Sequence, residues 1–153
     1  MDVATLTQQI QYVLTPAVMI SSAALFLLGF QNKFSSLAGR FRVLNHERRV
    51  LFLKRHRDEA DNERLENLNS QIASLVRRAW QVKNVILLTY AAIVCFVVTS
   101  VLIFLNVYFK FVLYHVIVAV FIMGVLLLLA GAFLMMAEVA LAFHIIKLES
   151  RSR

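Results

Sequence analysis

Apolar residues gather into three long runs along this chain, and the polar stretch between the first two carries a heptad pattern of its own. Residues 16–30, 85–109 and 116–137 contain no Lys, Arg, Asp or Glu. The second and third runs are long enough to cross a hydrocarbon layer of about 30 Å at about 1.5 Å per residue. The first is short, and its span needs residues 12–14, a locally thinned bilayer or burial by neighbouring helices to be completed. Ahead of it, Val3, Leu6, Ile10 and Val13 recur at helical spacing, which predicts an amphipathic segment over 1–14 at the outer interface. Thr15 is expected to cap a new helix with Pro16 at its first position, where the missing N–H costs nothing.

In the polar stretch, Leu65, Leu68, Ile72, Leu75, Ala79, Val82 and Ile86 alternate steps of three and four residues, the mark of a heptad seam. Phe34, Leu37, Phe41, Leu44 and Leu51 follow the same rule on the preceding half, with Arg48 where an apolar residue is due. Asp58, Glu59, Asp61, Asn62 and Glu63 lie between the halves and suit a solvated tip, with Asp or Asn capping the returning helix. The pattern predicts an antiparallel coiled-coil hairpin whose arms prolong the first two spans. The chain reads as an all-α integral membrane protein with transmembrane helices at 15–32, 85–109 and 116–137. A cytoplasmic antiparallel helical hairpin at 33–84 separates the first from the second, 110–115 is a short outer link, and 138–153 is a cytoplasmic helical tail.

Charge sets the expected orientation. Twelve of the sixteen Lys and Arg residues fall between positions 33 and 83, residues 1–14 have none, and the outer link has only Lys110. Loops rich in Lys and Arg stay in the cytoplasm, so the N-terminus is expected outside and the C-terminus inside a bacterial inner membrane. The same bias absorbs the net charge of +7, since basic residues beside spans serve orientation and anionic headgroups, and no nucleic-acid motif accompanies them. Residues 1–14 lack the basic region of a signal peptide, so the first span is expected to be retained. At 60% hydrophobic residues the chain exceeds the soluble norm of about 45–50%. Its single cysteine, Cys95, lies inside a span and permits no intrachain disulfide.

Catalytic chemistry finds no footing in these residues. His46-Glu47 opens like a zinc-protease motif, but Val50 stands where the second His is required. The acidic tip lacks the ligand spacing and central Gly of an EF-hand loop. His115 sits among Asn106, Tyr108, Lys110 and Tyr114, an outer-interface belt, and reads as interfacial. No catalytic residue, metal or cofactor is expected. Glu138 is the exception to an apolar surround, and a carboxylate in a span is a functional candidate by default. Counted from His115 it lies about 34 Å along the helix, at the inner headgroup level, where Lys33, Lys83 or Arg40 are the expected ion-pair partners.

Small and polar residues mark the remaining candidate faces. Gly124, Gly131 and Glu138 recur every seven residues, and Ala91, Cys95 and Thr99 form a similar strip on the second span, both suited to close helix packing. On the first span Thr15, Ser22 and Gly29 share a face, with Ser21 beside them and Gln31-Asn32 at the inner end. Such a strip either packs against protein or, if several subunits turn it to one axis, lines a hydrophilic path. The leading expectation is therefore a homo-oligomer in the lipid bilayer that forms a pore or small-solute path. Its rival is an accessory or scaffold protein whose basic hairpin binds a cytoplasmic partner or anionic lipid.

The run TPAVMISSAALFLLGFQNKFSSLAGRFRVLNHE, residues 15–47, resembles the N-terminal half of a family of small bacterial three-span membrane proteins catalogued as a domain of unknown function. Thr15, Pro16, Ala17, Ile20, Ser21, Gln31, Asn32, Lys33, Arg40 and Arg42 carry the likeness. The resemblance implies the three-span layout and implies no activity.

Overall fold

The structure, a computed structural model, describes residues 3–54, 58–109 and 114–149. These residues are helical apart from Lys54 and Asp58: α1 is Val3–Leu53, α2 is Glu59–Phe109 and α3 is Tyr114–Glu149. At 51 residues each, α1 and α2 are about 76 Å long, far more than a bilayer needs. All three helices are long and apolar enough to cross a membrane, which is the architecture of a multi-pass membrane protein.

α1 passes unbroken through Pro16, so the expected cap at Thr15 does not form. The Thr15 hydroxyl instead donates to the Gln11 carbonyl at 3.2 Å, a bond made inside a helix. Proline removes one backbone donor, but helices in membranes tolerate this where Ser and Thr side chains and neighbouring segments relieve the local strain. The Pro16 ring is fully buried. Residues 3–14, expected as a separate interfacial segment, are thus continuous with the first span, and residues 1–2 lie outside the described residues.

α1 and α2 pack as an antiparallel hairpin. Lys54 meets Asp61, Glu47 meets Arg64, Arg48 meets Asn69 and Gln31 meets Tyr90, so one helix climbs as the other descends. Leu68, Ile72 and Val82 are buried on α2, with Leu65, Leu75, Ala79 and Ile86 half-buried. On α1 the buried positions recur every seven residues at Pro16, Ala23, Phe30 and Leu37, and this line passes beside Phe34, which stays 38% exposed. At the tip, Asp58 precedes α2 and its carbonyl accepts the N–H groups of Asp61 and Asn62 at 3.0 and 3.2 Å. Glu59 and Asp61 occupy the first turn of α2, where the positive end of the helix dipole favours them.

α2 is the central element, with α1 and α3 both packed on it. Its buried line continues the arm's rhythm through Val82, Val85, Thr89, Ala92, Phe96 and Thr99. Ala91, expected in the packing strip with Cys95 and Thr99, is exposed; the strip lies one residue over, at Ala92. The shift follows from two neighbours sharing α2, because the contact line must serve both. α3 approaches closely at Gly124, where a Cβ would come within 2.8 Å of Phe96 Cε1 and 3.1 Å of Cys95 Cβ. The Phe121 ring then lies tilted at 53° to that of Phe96, with the centroids 5.7 Å apart.

Candidate functional site

Burying one side of α1 against α2 leaves the opposite side open from Thr15 to Leu53. Thr15, Val18, Ser22, Leu25, Gly29 and Asn32 on the span, then Ser36, Gly39, Val43, His46, Val50 and Leu53 beyond it, keep the alternation of three and four residues. This strip contains no Asp, Glu, Lys or Arg, and all of it is exposed except the half-buried Ser22. A Cβ added at Gly29 or Gly39 would meet nothing within 4 Å. Val18 and Leu25 make part of the strip bulky and apolar, and on the outward faces of α2 and α3 Leu87, Val94, Val101, Ile122, Leu126 and Phe133 are likewise large, apolar and exposed. Bulky apolar faces suit lipid, whereas small and polar ones at span depth suit protein or water.

The hydroxyls of Thr15, Ser21 and Ser22 are satisfied within α1. Ser21 donates to the Ala17 carbonyl at 3.2 Å and Ser22 to that of Val18 at 3.0 Å, the back-bonding that Ser and Thr use inside helices. Thr89 and Thr99 on α2 do the same to Val85 and Cys95 at 2.9 and 2.8 Å. Gln31 is held by α2, its Nε2 donating to the Tyr90 hydroxyl at 3.0 Å. Thr15, Ser21, Ser22, Gly29 and Asn32 therefore remain on or beside the open face, and Gln31 is tied to the neighbouring helix.

Glu138 is 7% exposed, and its Oε2 accepts a hydrogen bond and ion pair from Lys33 Nζ, which ties α3 to α1. Lys83 and Arg40 stand apart from it. The Lys83 ammonium lies 5.9 Å from the Trp80 ring centroid on its own helix, and Arg40 lines a separate groove with Val43 and Gln71. Gly124, Gly131 and Glu138 are all buried on one face of α3, with Gly131 facing Thr89 and the Val85 carbonyl on α2. An apolar cleft of about 440 Å³ separates α1 from α3 beside the ion pair, walled by Phe26, Phe30, Met135 and Val139.

Polar contacts that the heptad reading did not supply join the two arms. Arg64 Nε and Nη2 both donate to Glu47 Oε1, at 3.1 and 2.8 Å. Lys54 meets both oxygens of Asp61 at 3.2 and 2.9 Å, and this hydrogen bond and charge raise its pKa above the usual 10.5. Arg48 donates to Asn45 and Asn69, both amides. Pairing the seams in antiparallel register was the signal that could have found these. Among the described residues no three His, Cys, Asp or Glu side chains gather closely enough to hold a metal ion.

No curated protein and no solved structure matches the chain. A family described as "Protein of unknown function (DUF2721)" matches residues 13–148, which take in all three spans and the hairpin between the first two. With nearly its whole length matched, the chain belongs to this family of proteins of unknown function.

Proposed function

We propose that the protein is a non-enzymatic assembly of several copies that turn α1 toward a common axis and enclose a narrow path for small solutes. The observation that carries this reading is the contrast between outward faces: α1 sets Thr15, half-buried Ser22, Gly29 and Asn32 between the exposed Val18 and Leu25, whereas Leu87, Val94 and Val101 on α2 and Ile122, Leu126 and Phe133 on α3 are bulky and apolar. Lipid suits the second kind, and the exposed Asn32 amide needs protein or water beside it. Closed homo-oligomers are the common way for a small chain to cover such a face with its own kind. The crowding of Lys and Arg on the hairpin supports a cytoplasmic arm, with the N-terminus outside and the C-terminus inside a bacterial inner membrane.

A second reading has its own support on the arm. Val43, Val50, Val76 and Trp80 are exposed there beside Arg42, Arg49 and Arg77, a surface suited to a partner protein or anionic lipid. In it the oligomer is a scaffold and the axis is dry.

Ser22→Trp separates the two when oligomer mass and solute flux are measured on one preparation. A path is blocked by bulk that leaves assembly intact, whereas a packed seam loses assembly to overpacking of about 1–3 kcal/mol per site. Intact oligomer with abolished flux supports the path. Dissociation, or native protein that passes no solute, favours the scaffold.

A further inference from the structure

Arg48 interrupts the α1 seam where an apolar residue is due, and its surroundings form a groove that the proposed path does not use. The groove, about 710 Å³, is lined by Asn45, Arg48, Arg49, Phe52, Leu65 and Asn69. Small-molecule sites commonly fall between about 300 and 1,000 Å³ and join apolar walls to a few convergent polar groups. Half-buried Arg48 uses Nη2 on Asn45 Oδ1 at 2.9 Å and Nη1 on Asn69 Oδ1 at 3.4 Å. Both partners are neutral amides. They orient the guanidinium without cancelling its charge, and no carboxylate pairs with it among the described residues. A guanidinium carries five N–H donors in a flat fork that fits an oxyanion, so donors remain after both amides are served. Arg49 adds a second positive charge at the rim, while Phe52 and Leu65 give the groove an apolar wall.

We infer that this groove binds a small organic anion, an oxyanion group such as phosphate joined to an apolar or aromatic moiety. Such a ligand would neutralise a charge that otherwise costs stability at a seam position. Depth along the arm favours a soluble ligand over a lipid. Arg48 lies fifteen residues beyond Lys33, about 22 Å along the helix from the Lys33–Glu138 pair. The inference does not depend on whether α1 lines a path.

Phenyl phosphate is a suitable probe, titrated into the full-length protein in neutral detergent and followed by calorimetry. Saturable binding is expected, tighter than that of inorganic phosphate, with Arg48→Leu at least tenfold weaker. Arg48→Leu completes the apolar seam and keeps the arm folded, so the loss reads on the groove and not on folding. Arg48→Lys should also weaken binding, because one ammonium cannot reproduce the fork. Arg42→Leu, an exposed change outside the groove, should bind as the native protein does. Absence of saturable binding, or equal loss in Arg42→Leu and Arg48→Leu, would overturn the proposal in favour of diffuse charge. Unchanged affinity in Arg48→Leu would leave Arg48 as a register device alone and overturn it too. A stabilising effect of phosphatidylglycerol in the micelle, without one from phenyl phosphate, would overturn the soluble ligand in favour of a headgroup.

Discussion

Two glycines on the helices that flank α2 illustrate how much a single methyl group can report. At Gly124 an added Cβ sits 2.8 Å from the Phe96 ring edge, whereas at Gly29 it meets nothing within 4 Å. Gly124→Ala is expected to destabilise α3 on α2 by about 1–3 kcal/mol, the usual cost of overpacking. Gly29→Ala should leave the isolated subunit unharmed or gain up to about 1 kcal/mol from helix propensity. Thermal unfolding in detergent, at a concentration that keeps the protein monomeric, checks both signs. The Lys33–Glu138 pair gives a second test at this scale. Removing one partner of a buried pair costs about 3–5 kcal/mol, but Lys33 keeps 29% of its side chain in contact with solvent, which lowers the expectation for Glu138→Gln to about 1–3 kcal/mol. Lys33→Met with Glu138→Gln should be less damaging than Glu138→Gln alone, because no ammonium is left unmatched. A double variant as unstable as the sum of the singles would contradict the pairing.

At the scale of elements, the hairpin is governed by its seam. Leu68 is fully buried, so Leu68→Asp places a carboxylate among apolar side chains at a cost of several kcal/mol, comparable with a small domain's whole stability. Limited proteolysis of the arm should accelerate sharply in that variant, and unchanged protection would argue against the packed seam. The arms were legible in the sequence because steps of three and four residues are local and need no knowledge of neighbours. Pro16 misled because a Thr-Pro pair signals a helix start in water, while a span surrounded by apolar groups lets the helix run through. Ala91 misled by one position because the strip on α2 depends on two flanking helices, and no pattern within α2 alone reveals both. Thr15, Ser22 and Gly29 were legible as a face. Its continuation to Leu53 was not, because Val43, Val50 and Leu53 look like ordinary arm residues until α2 is seen to occupy the other side.

The whole molecule is a hairpin of two long helices with a third span against the second, and its open face and its charge bias lead to separate tests. Orientation is the simpler. A cysteine at Tyr114, which is 67% exposed at the start of α3, should react with an impermeant thiol reagent on intact cells, and one at Asp61 should react only after lysis. Labelling at Asp61 in intact cells would reverse the topology. Assembly is the central claim, and the most direct measurement is oxidative cross-linking between copies in the native membrane, in a Cys95→Ser background that removes the only natural thiol. Gly29→Cys lies on the open face of α1 and Phe133→Cys on the outward face of α3. If several copies turn α1 to a shared axis, Gly29→Cys forms covalent dimers and Phe133→Cys does not. Dimers from Phe133→Cys alone, or from neither variant, would contradict the arrangement.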